Sequence, residues 1–497
     1  MCKITFYYSN IKHIIIICFF ISRNLFLLKL FYLKYRKDVI YLLCLHNIKV
    51  IPLLLINQFL NYKKNHKMKI KNITQCFFAV VLALAVGCKN ESKTDVVVAP
   101  QQGTANFTRF ISVGNSLTAG FADNGLYLAG QLSSFPSIIA AKMKLAGGGE
   151  FTQPLFSVAQ KNGSGYVRYG GLTAAGTPNL IPVTTELGIR GQVTIAGIPV
   201  TLYTKSTGDV NNYGVPGIKL RDVKFAPYGN FNGYFERLLT GNAGTNNTTY
   251  LDFVTAKDFT FFSNWLGNND VLSFATSGGT GDALTPKADF NSLYSEVLDK
   301  LTAKGAKGIV ATIPDVSAAP YFNTVTVAAV LAAVKAQSPQ VQALFIATST
   351  GARAATNDDL IILPFPTSLI GGAGFYGLTP LNPIESRFVL DKDEVALVKD
   401  FTTSYNTSIK TLANAKGLAI FDANEYLNTL KGTGRVIDGV TLNTSYISGK
   451  VFSLDGVHLT PMGNAVVANE MMTQINLKYG STLPKVNLGN YTFLRFN

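Results

Sequence analysis

Short apolar runs alternate with amphipathic stretches from residue 107 almost to the end of the 497-residue chain. Short runs rich in apolar residues, typical of buried strands, occur at 107–113, 258–266, 308–313 and 417–422. Apolar positions at helical spacing follow at 135–146, 290–301, 391–415 and 461–478. Strands that alternate with helices predict a parallel sheet covered by helices on both faces.

Two stretches break this alternation and are predicted to be insertions on the loops of the sheet. Residues 147–208 are rich in Gly and Thr and contain strand-like alternation, most clearly at 192–202. Residues 319–390 begin with a helical Val/Ala run at 325–336 and continue as a Pro-rich loop. Long loops of this kind often form the walls of functional sites.

The first 67 residues differ in composition from the rest of the chain. They hold 11 Lys/Arg and one acidic residue, a net charge of +10, and consist mainly of Ile, Leu, Phe, Tyr, Lys and Asn. These six residues have A/T-rich codons, so we interpret residues 1–67 as translation of upstream DNA, with Met68 as the true start. The alternative is a pair of membrane helices at about 13–33 and 39–60.

Residues 68–87 have the architecture of a signal peptide: a short basic start, an apolar segment and a small residue, Gly87, at the cut. Cys88 then stands where the lipidated cysteine of a bacterial lipoprotein would be, although Ala85 replaces the usual Leu. The apolar run is shorter than the ~20 residues that a membrane-spanning helix needs, which disfavours the alternative of a transmembrane anchor. Residues 88–106 are predicted to be a flexible tether.

Charge and cysteine usage exclude several classes of function for the remainder. It carries only +5 of the total net charge of +15 and shows no basic stripe with interleaved aromatics, so no nucleic-acid partner is expected. All five cysteines lie at or before Cys88. Three of the four histidines lie before residue 67, so the body has neither the cysteines nor the histidines of a zinc site.

The one remaining histidine, His458, follows Asp455 by three residues in a predicted loop. A carboxylate that orients an imidazole is two-thirds of a nucleophilic triad. Ser116 directly follows the first predicted strand, at the carboxyl end where such sheets bind ligands. Taken alone, Ser116 also fits an ordinary turn or helix cap, and His458 fits a surface residue.

Two further segments carry groups able to stabilise an oxyanion. In residues 212–217, Gly217 offers a backbone N–H, with Gly214 as a competing donor. In residues 266–270, Asn269 offers a side-chain amide. Either segment is also compatible with a plain turn.

In the order Ser116, Gly217, Asn269 and Asp455-x-x-His458, these segments resemble the SGNH (GDSL-type) hydrolase superfamily, over about residues 107–478. Within that superfamily the chain resembles lipoproteins of Bacteroidetes-type bacteria. The resemblance implies a flavodoxin-like three-layer α/β/α sandwich with five parallel strands, spanning 107–480 and followed by a tail at 481–497. It implies Ser116 as nucleophile, His458 as base and Asp455 as its orienter, with no metal or cofactor. The backbone N–H groups of Ser116 and Gly217 and the Asn269 amide would form the oxyanion hole.

The chain departs from the superfamily pattern in two places. Asn115 replaces the usual Asp of the Gly-Asp-Ser-Leu signature, and the interval from Ser116 to Gly217 is unusually long. A third match, the dinucleotide-like pattern at 372–377, is dismissed because Pro380 and Pro383 follow it and no helix can begin there.

We therefore expect a lipid-anchored serine esterase of the cell envelope, in the outer membrane, that acts on a small ester or an acylated glycan or lipid. The alternatives are a polysaccharide O-acetyl esterase and a non-catalytic glycan-binding surface lipoprotein. Both insertions are expected to frame Ser116. Their apolar content indicates an acyl-accommodating surface or ordinary core packing, at Ile195, Ile198, Val330 and Phe345.

Overall fold

The computed structural model describes residues 29–35, 38–44, 99–174 and 176–495. The chain divides into two units, Met1–Val96 and Val97–Asn497. In the first, Lys29–Tyr35 and Asp38–Cys44 pair as antiparallel strands, so these residues do not form the membrane helices of the alternative interpretation. The predicted signal peptide and Cys88 lie outside the described residues. Among the helices that are described, none combines the length and apolarity needed to cross a membrane.

Five parallel strands form the central sheet of the second unit. They are β1 (Phe110–Gly114), β2 (Asn212–Gly214), β3 (Phe261–Trp265), β4 (Lys307–Ala311) and β5 (Ala419–Phe421). Their order in the sheet is β2-β1-β3-β4-β5, and every neighbouring pair is parallel. This is the flavodoxin-like strand order, and the predicted fold class is confirmed.

Helices connect these strands. The ones used below are α1 (Ser116–Ala119), α2 (Phe135–Leu145), α3 (Asn269–Thr276), α4 (Lys287–Thr302), α5 (Val327–Gln337), α6 (Lys392–Ala415) and α7 (Pro461–Tyr479). Shorter helices lie at Leu128–Leu132, Tyr228–Phe231, Gly233–Glu236, Tyr250–Thr255, Pro320–Asn323 and Ala423–Asn428.

The three layers follow from the two-residue periodicity of a strand. On one face of β3, the Trp265 ring lies 5.6 Å from that of Phe135 on α2. On the other face, Asn264 donates a hydrogen bond to the Tyr294 hydroxyl of α4 at 3.2 Å. Because β3 is central and buried at all five positions, both faces need helical cover, and α2 and α4 supply it.

Helix α7 begins and ends where its sequence dictates. The Thr460 hydroxyl accepts from the N–H of Gly463 at 2.9 Å, and Pro461 occupies the first turn, where its missing N–H costs nothing. Gly480 ends the helix with a left-handed φ of 66°. This fixes the point at which the chain enters α7, and the loop that carries Asp455 and His458 lies immediately before it.

The two insertions differ in construction. Residues 147–208 fold into two β-hairpins, Tyr166–Leu172 with Pro178–Val183 and Ile189–Ile195 with Ile198–Tyr203. Residues 319–390 contain α5 and an apolar cluster of their own, separate from the sheet core. The insertion also contains five short strands. One strand, Val325–Thr326, precedes α5, and four follow it where a continuous loop was predicted, at Phe345–Thr348, Gly351–Ala354, Leu360–Ile361 and Val389–Leu390. One more hairpin, Arg435–Ile437 with Val440–Leu442, follows β5.

Both ends of the second unit pack on α7 and its C-terminus. The N–H of Thr104, in the predicted tether, donates to the carbonyl of Tyr479 at 2.8 Å. In the predicted tail, the backbone of Val486 exchanges two 2.8 Å hydrogen bonds with the Asn469 side chain. The described part of the tether, residues 99–106, is therefore attached to the domain rather than free of it.

Candidate active site

Ser116 lies at the carboxyl end of β1, as the first residue of α1. The Asn115 side chain caps α1 by accepting from the N–H of Leu117 at 3.1 Å. The Ser116 hydroxyl is 2.9 Å from Nε2 of His458, a residue 342 positions later in the chain. Nδ1 of the same ring is 2.9 Å from Oδ2 of Asp455. The structure thus brings together the three residues predicted to form the triad.

Asp455 is held in place by three backbone N–H groups. Its Oδ1 accepts from Val457 at 2.9 Å and from His458 at 2.8 Å, and its Oδ2 accepts from Asn124 at 3.0 Å. Burial raises the pKa of Asp455, but the charge and hydrogen bonds of His458 and these backbone donors outweigh burial, and the pKa lies below its usual range.

The ionisation of Asp455 fixes the tautomer of His458. A carboxylate only accepts hydrogen bonds, so Nδ1 must donate to it. In the neutral imidazole, Nε2 is then the acceptor that faces the Ser116 hydroxyl. The arrangement can therefore remove a proton from Ser116 Oγ.

A turn at Ala122–Gly125 supports the loop that carries Asp455 and His458, called the triad loop below. The sequence pattern does not predict this support. Asp123 accepts from the N–H of Leu454 at 3.0 Å and from the Tyr127 hydroxyl at 2.7 Å. Asp123 and Asn124 have left-handed φ angles of 54° and 65°, which non-glycine residues adopt at a cost. Asp-Asn-Gly at 123–125 is a turn signal, but nothing in the sequence pairs it with a loop 331 positions away.

Two oxyanion candidates lie beside Ser116. Gly217 is exposed, with a φ of 85°, in the cleft that Ser116 and His458 also line. Asn269, the first residue of α3, lines the same cleft and uses one amide hydrogen on the carbonyl of Ile218 at 2.8 Å. Its amide group has a second hydrogen. Gly214 is disfavoured as a donor, because it is buried in β2 and its N–H donates to Asn212 Oδ1 at 2.9 Å.

The cleft has a volume of about 550 Å³. The 147–208 insertion supplies part of its wall through the strand Ile198–Tyr203, from which four residues face the cleft: Pro199, Val200, Thr201 and Tyr203. Ile195 and Ile198 are not among the cleft residues. The expectation that the first insertion frames Ser116 is met, but by other side chains than the isoleucines named from the sequence.

The 319–390 insertion reaches the triad loop rather than the cleft. The N–H of Tyr321 donates to the carbonyl of Gly456 at 3.0 Å, and the Leu363 side chain packs on the same glycine. Val330 is buried in the insertion's own apolar cluster, and Phe345 is half-buried in strand Phe345–Thr348. Of the two alternatives for these residues, core packing holds for Val330, which is buried within the insertion. Phe345 does not line the cleft, so it forms no acyl-accommodating surface there.

The sequence profile of the GDSL-like lipase/acylhydrolase family matches residues 111–471, well over half of the chain. The chain belongs to this family. It is accordingly a carboxylic ester hydrolase, and the four segments predicted from the sequence all fall within the matched residues.

The solved structures that this chain matches are distant in sequence. An α/β hydrolase from the metagenome of Lake Arreo, Spain, is 11% identical with a TM-score of 0.32, over 75% of this chain and 96% of that one. An acetyl xylan esterase from Geobacillus stearothermophilus is 10% identical with a TM-score of 0.32, over 76% and 97%. An extracellular lipase from Streptomyces rimosus is 11% identical with a TM-score of 0.27, over 75% and 99%. At these values the likeness carries no argument about substrate. A search of curated proteins finds no match.

Proposed function

We propose that this GDSL-family hydrolase is a serine esterase that works through an acyl-enzyme on Ser116. The observation that carries the proposal is the continuous hydrogen-bonded series from Asp455 through His458 to Ser116, with 2.9 Å at each ring nitrogen. Ser116 and His458 line a cleft in which Gly217 and Asn269 offer hydrogen-bond donors for an oxyanion.

The proposed reaction has two halves. Ser116 Oγ attacks the acyl carbon while its proton passes to His458 Nε2, and the carbonyl oxygen becomes an oxyanion facing the N–H groups of Ser116 and Gly217 and the amide of Asn269. When the bond to the alcohol oxygen breaks, His458 delivers that proton to the departing alcohol. Water then attacks the acyl-enzyme with His458 as base, and the acid leaves as the proton returns to Ser116.

A polysaccharide O-acetyl esterase is the second candidate, because aromatic side chains line the cleft beside Ser116. Tyr203 and Tyr234, which line the cleft, stack on each other with ring centroids 4.5 Å apart, and Phe121 and Phe231 line it as well. Such a surface suits a sugar ring as the alcohol partner. Release of acetate from an acetylated polysaccharide would favour this candidate.

We also propose that the mature protein begins at Cys88 and is lipid-anchored in the cell envelope, in the outer membrane. The support is the sequence alone: a basic start at Met68, an apolar segment and Gly87 before Cys88. The anchor would hold the esterase at a membrane surface where acylated lipids and glycans are substrates.

Labelling by a fluorophosphonate probe tests the serine esterase. We expect the wild-type protein to be labelled once and Ser116→Ala to be unlabelled, with turnover of p-nitrophenyl esters reduced by several orders of magnitude. Ser448→Ala, at an exposed serine, is the matched control and should label normally. Near-normal esterase activity in Ser116→Ala would rule out the assignment, and absence of labelling and of activity in the wild type would favour a glycan-binding protein.

A further inference from the structure

A second hollow adjoins Ser116, and its walls differ from those of the cleft. This cavity has a volume of about 90 Å³ and lies among the carboxyl ends of the strands and the start of α7. Its walls are mostly apolar, and they include Trp265, Val316, Phe421 and Val466. Ser116 and His458 line both the cavity and the cleft. The reacting serine therefore borders two hollows.

This placement separates the two halves of an ester. The acyl group and the alcohol lie on opposite sides of the carbonyl carbon that Ser116 attacks, so one belongs in each hollow. Apolar walls favour a hydrocarbon chain, which assigns the acyl group to the cavity and the alcohol to the wider cleft. Since an apolar cavity of about 150 Å³ holds the six carbons of benzene, 90 Å³ accommodates about four carbons.

Two buried asparagines border the cavity. Asn115 and Asn268 both line it, and they are only 1% and 4% exposed. Three amide atoms, Nδ2 of Asn115 and Nδ2 and Oδ1 of Asn268, have no hydrogen-bond partner among residues 99–174 and 176–495. They follow adjacent strands, β1 and β3, in which Gly114 is paired with Trp265. Buried amide groups without partners are uncommon and costly, which points to a ligand that satisfies them.

The free atoms specify the chemistry of that ligand. Asn115 already uses its oxygen to accept from Leu117, so its remaining group is a donor. Asn268 offers an acceptor oxygen and a further donor. A hydroxyl group both accepts and donates, and it matches this pair. We propose that the cavity is the acyl site and that it selects a short acyl chain of about four carbons that carries a hydroxyl, bonded by Asn115 and Asn268.

This inference rests on the proposed serine esterase, and it is tested by comparing esters within each variant. The substrates are p-nitrophenyl acetate, butyrate, 3-hydroxybutyrate and octanoate. For the wild type we expect butyrate to exceed acetate and octanoate in kcat/KM, and 3-hydroxybutyrate to exceed butyrate by at least 10-fold. In Asn268→Leu, which keeps a similar volume without polar atoms, the 3-hydroxybutyrate to butyrate ratio should fall by about 10- to 100-fold.

Two further variants complete the test. Ala319→Leu extends a side chain into the cavity and should lower the butyrate to acetate ratio by about 10-fold or more. Asn428→Leu changes an exposed asparagine and should leave both ratios as in the wild type. Ratios are used because any loss common to two substrates cancels.

The outcomes separate the two proposals. If Ser116-dependent hydrolysis is present but the hydroxyl ratio is near one and unaffected by Asn268→Leu, hydroxyl selection is wrong. If acetate or octanoate equals or exceeds butyrate, the cavity is not the acyl site. If hydrolysis does not depend on Ser116, the serine esterase itself fails, and the inference falls with it.

Discussion

At the scale of single residues, the triad depends on Asp455 remaining ionised although it is buried. Three backbone N–H groups and the His458 ring surround its two oxygens. This full set of donors explains how a carboxylate survives without solvent, since each donor favours the charged form. The same set keeps the imidazole in the tautomer that accepts the Ser116 proton.

Asp455→Asn should preserve the shape of the site and remove its chemistry. An asparagine amide can donate to Nδ1, which favours the wrong imidazole tautomer, so we expect kcat to fall by about 10²- to 10⁴-fold. Asp358→Asn, at an exposed aspartate, is the control and should keep its kcat. Steady-state kinetics with a p-nitrophenyl ester measure the effect, and a loss below threefold would contradict the proposed role.

The same variant should change how stability depends on pH. The pKa of Asp455 is lower in the folded than in the unfolded chain, so its carboxylate stabilises the fold above the unfolded pKa of about 3.9, and this contribution is lost as the pH falls towards the folded value. Urea unfolding should therefore show wild type and Asp455→Asn converging as the pH falls from 5 to 2. A constant difference across that range would contradict this account.

Residue types and order along the chain were enough to predict which side chains meet at the site, but not what holds them there. His458 stood out because it is the one histidine after residue 66, and Asp455 because of its spacing. Asp123 and Asn124 did not stand out, because their importance lies in backbone and side-chain bonds to loop 453–455, whose partners are more than 300 positions away. Local pattern carries no information about such contacts.

At the scale of elements, four of the five strands were predictable and the fifth was not. Apolar runs marked β1, β3, β4 and β5, whereas β2 has only three residues and is followed by Pro216 and Gly217, which indicate a turn. Asn212 begins β2 although it is polar, and its amide donates to the carbonyl of Thr118 at 2.9 Å. Tertiary bonds, rather than an apolar pattern, stabilise this edge strand.

The 319–390 insertion was predicted to frame Ser116, and it does so at one residue, Ala319, which lines the cavity beside Ser116. Its other contact near the site is with Gly456. Gly456 has a φ of 72°, and a Cβ there would lie 2.9 Å from the backbone nitrogen of Tyr321. The insertion thus packs against the loop between Asp455 and His458. This contact supports the position of the His458 imidazole.

Gly456→Ala tests this support. We expect it to destabilise the fold by about 1–3 kcal/mol, through backbone strain and the contact with Tyr321, and to lower kcat as His458 shifts. Gly439→Ala is the matched control, because Gly439 has a similar φ of 77° but open space around the added carbon. Urea unfolding and kcat are measured for both, and equal effects in the two variants would show that the insertion contact is unimportant.

At the scale of the whole molecule, the triad and the proposed oxyanion donors lie between Ser116 and His458, inside the unit Val97–Asn497. The core of that unit begins at Ala105, beside β1, and includes Leu488 in the tail. Residues before Val97 are therefore expected to determine where the enzyme resides and not what it does. This separation makes the anchor and the activity independently testable.

A chain beginning at Val97 should be recovered without membranes and should hydrolyse p-nitrophenyl esters as fast as the full-length protein, because the cleft, the cavity and the triad are all retained.

In the producing cell, Cys88→Ser should move the protein from the membrane fraction to the soluble fraction. Cys76→Ser, which changes a cysteine within the predicted apolar segment, should leave the protein in the membrane fraction. Cys88→Ser protein that still sediments with membranes would contradict the lipid anchor, and any peptide from residues 1–67 in the native protein's mass spectrum would contradict the start at Met68. Loss of activity in the shortened chain would mean that the first unit contributes to the fold or the site, which its composition gives no reason to expect.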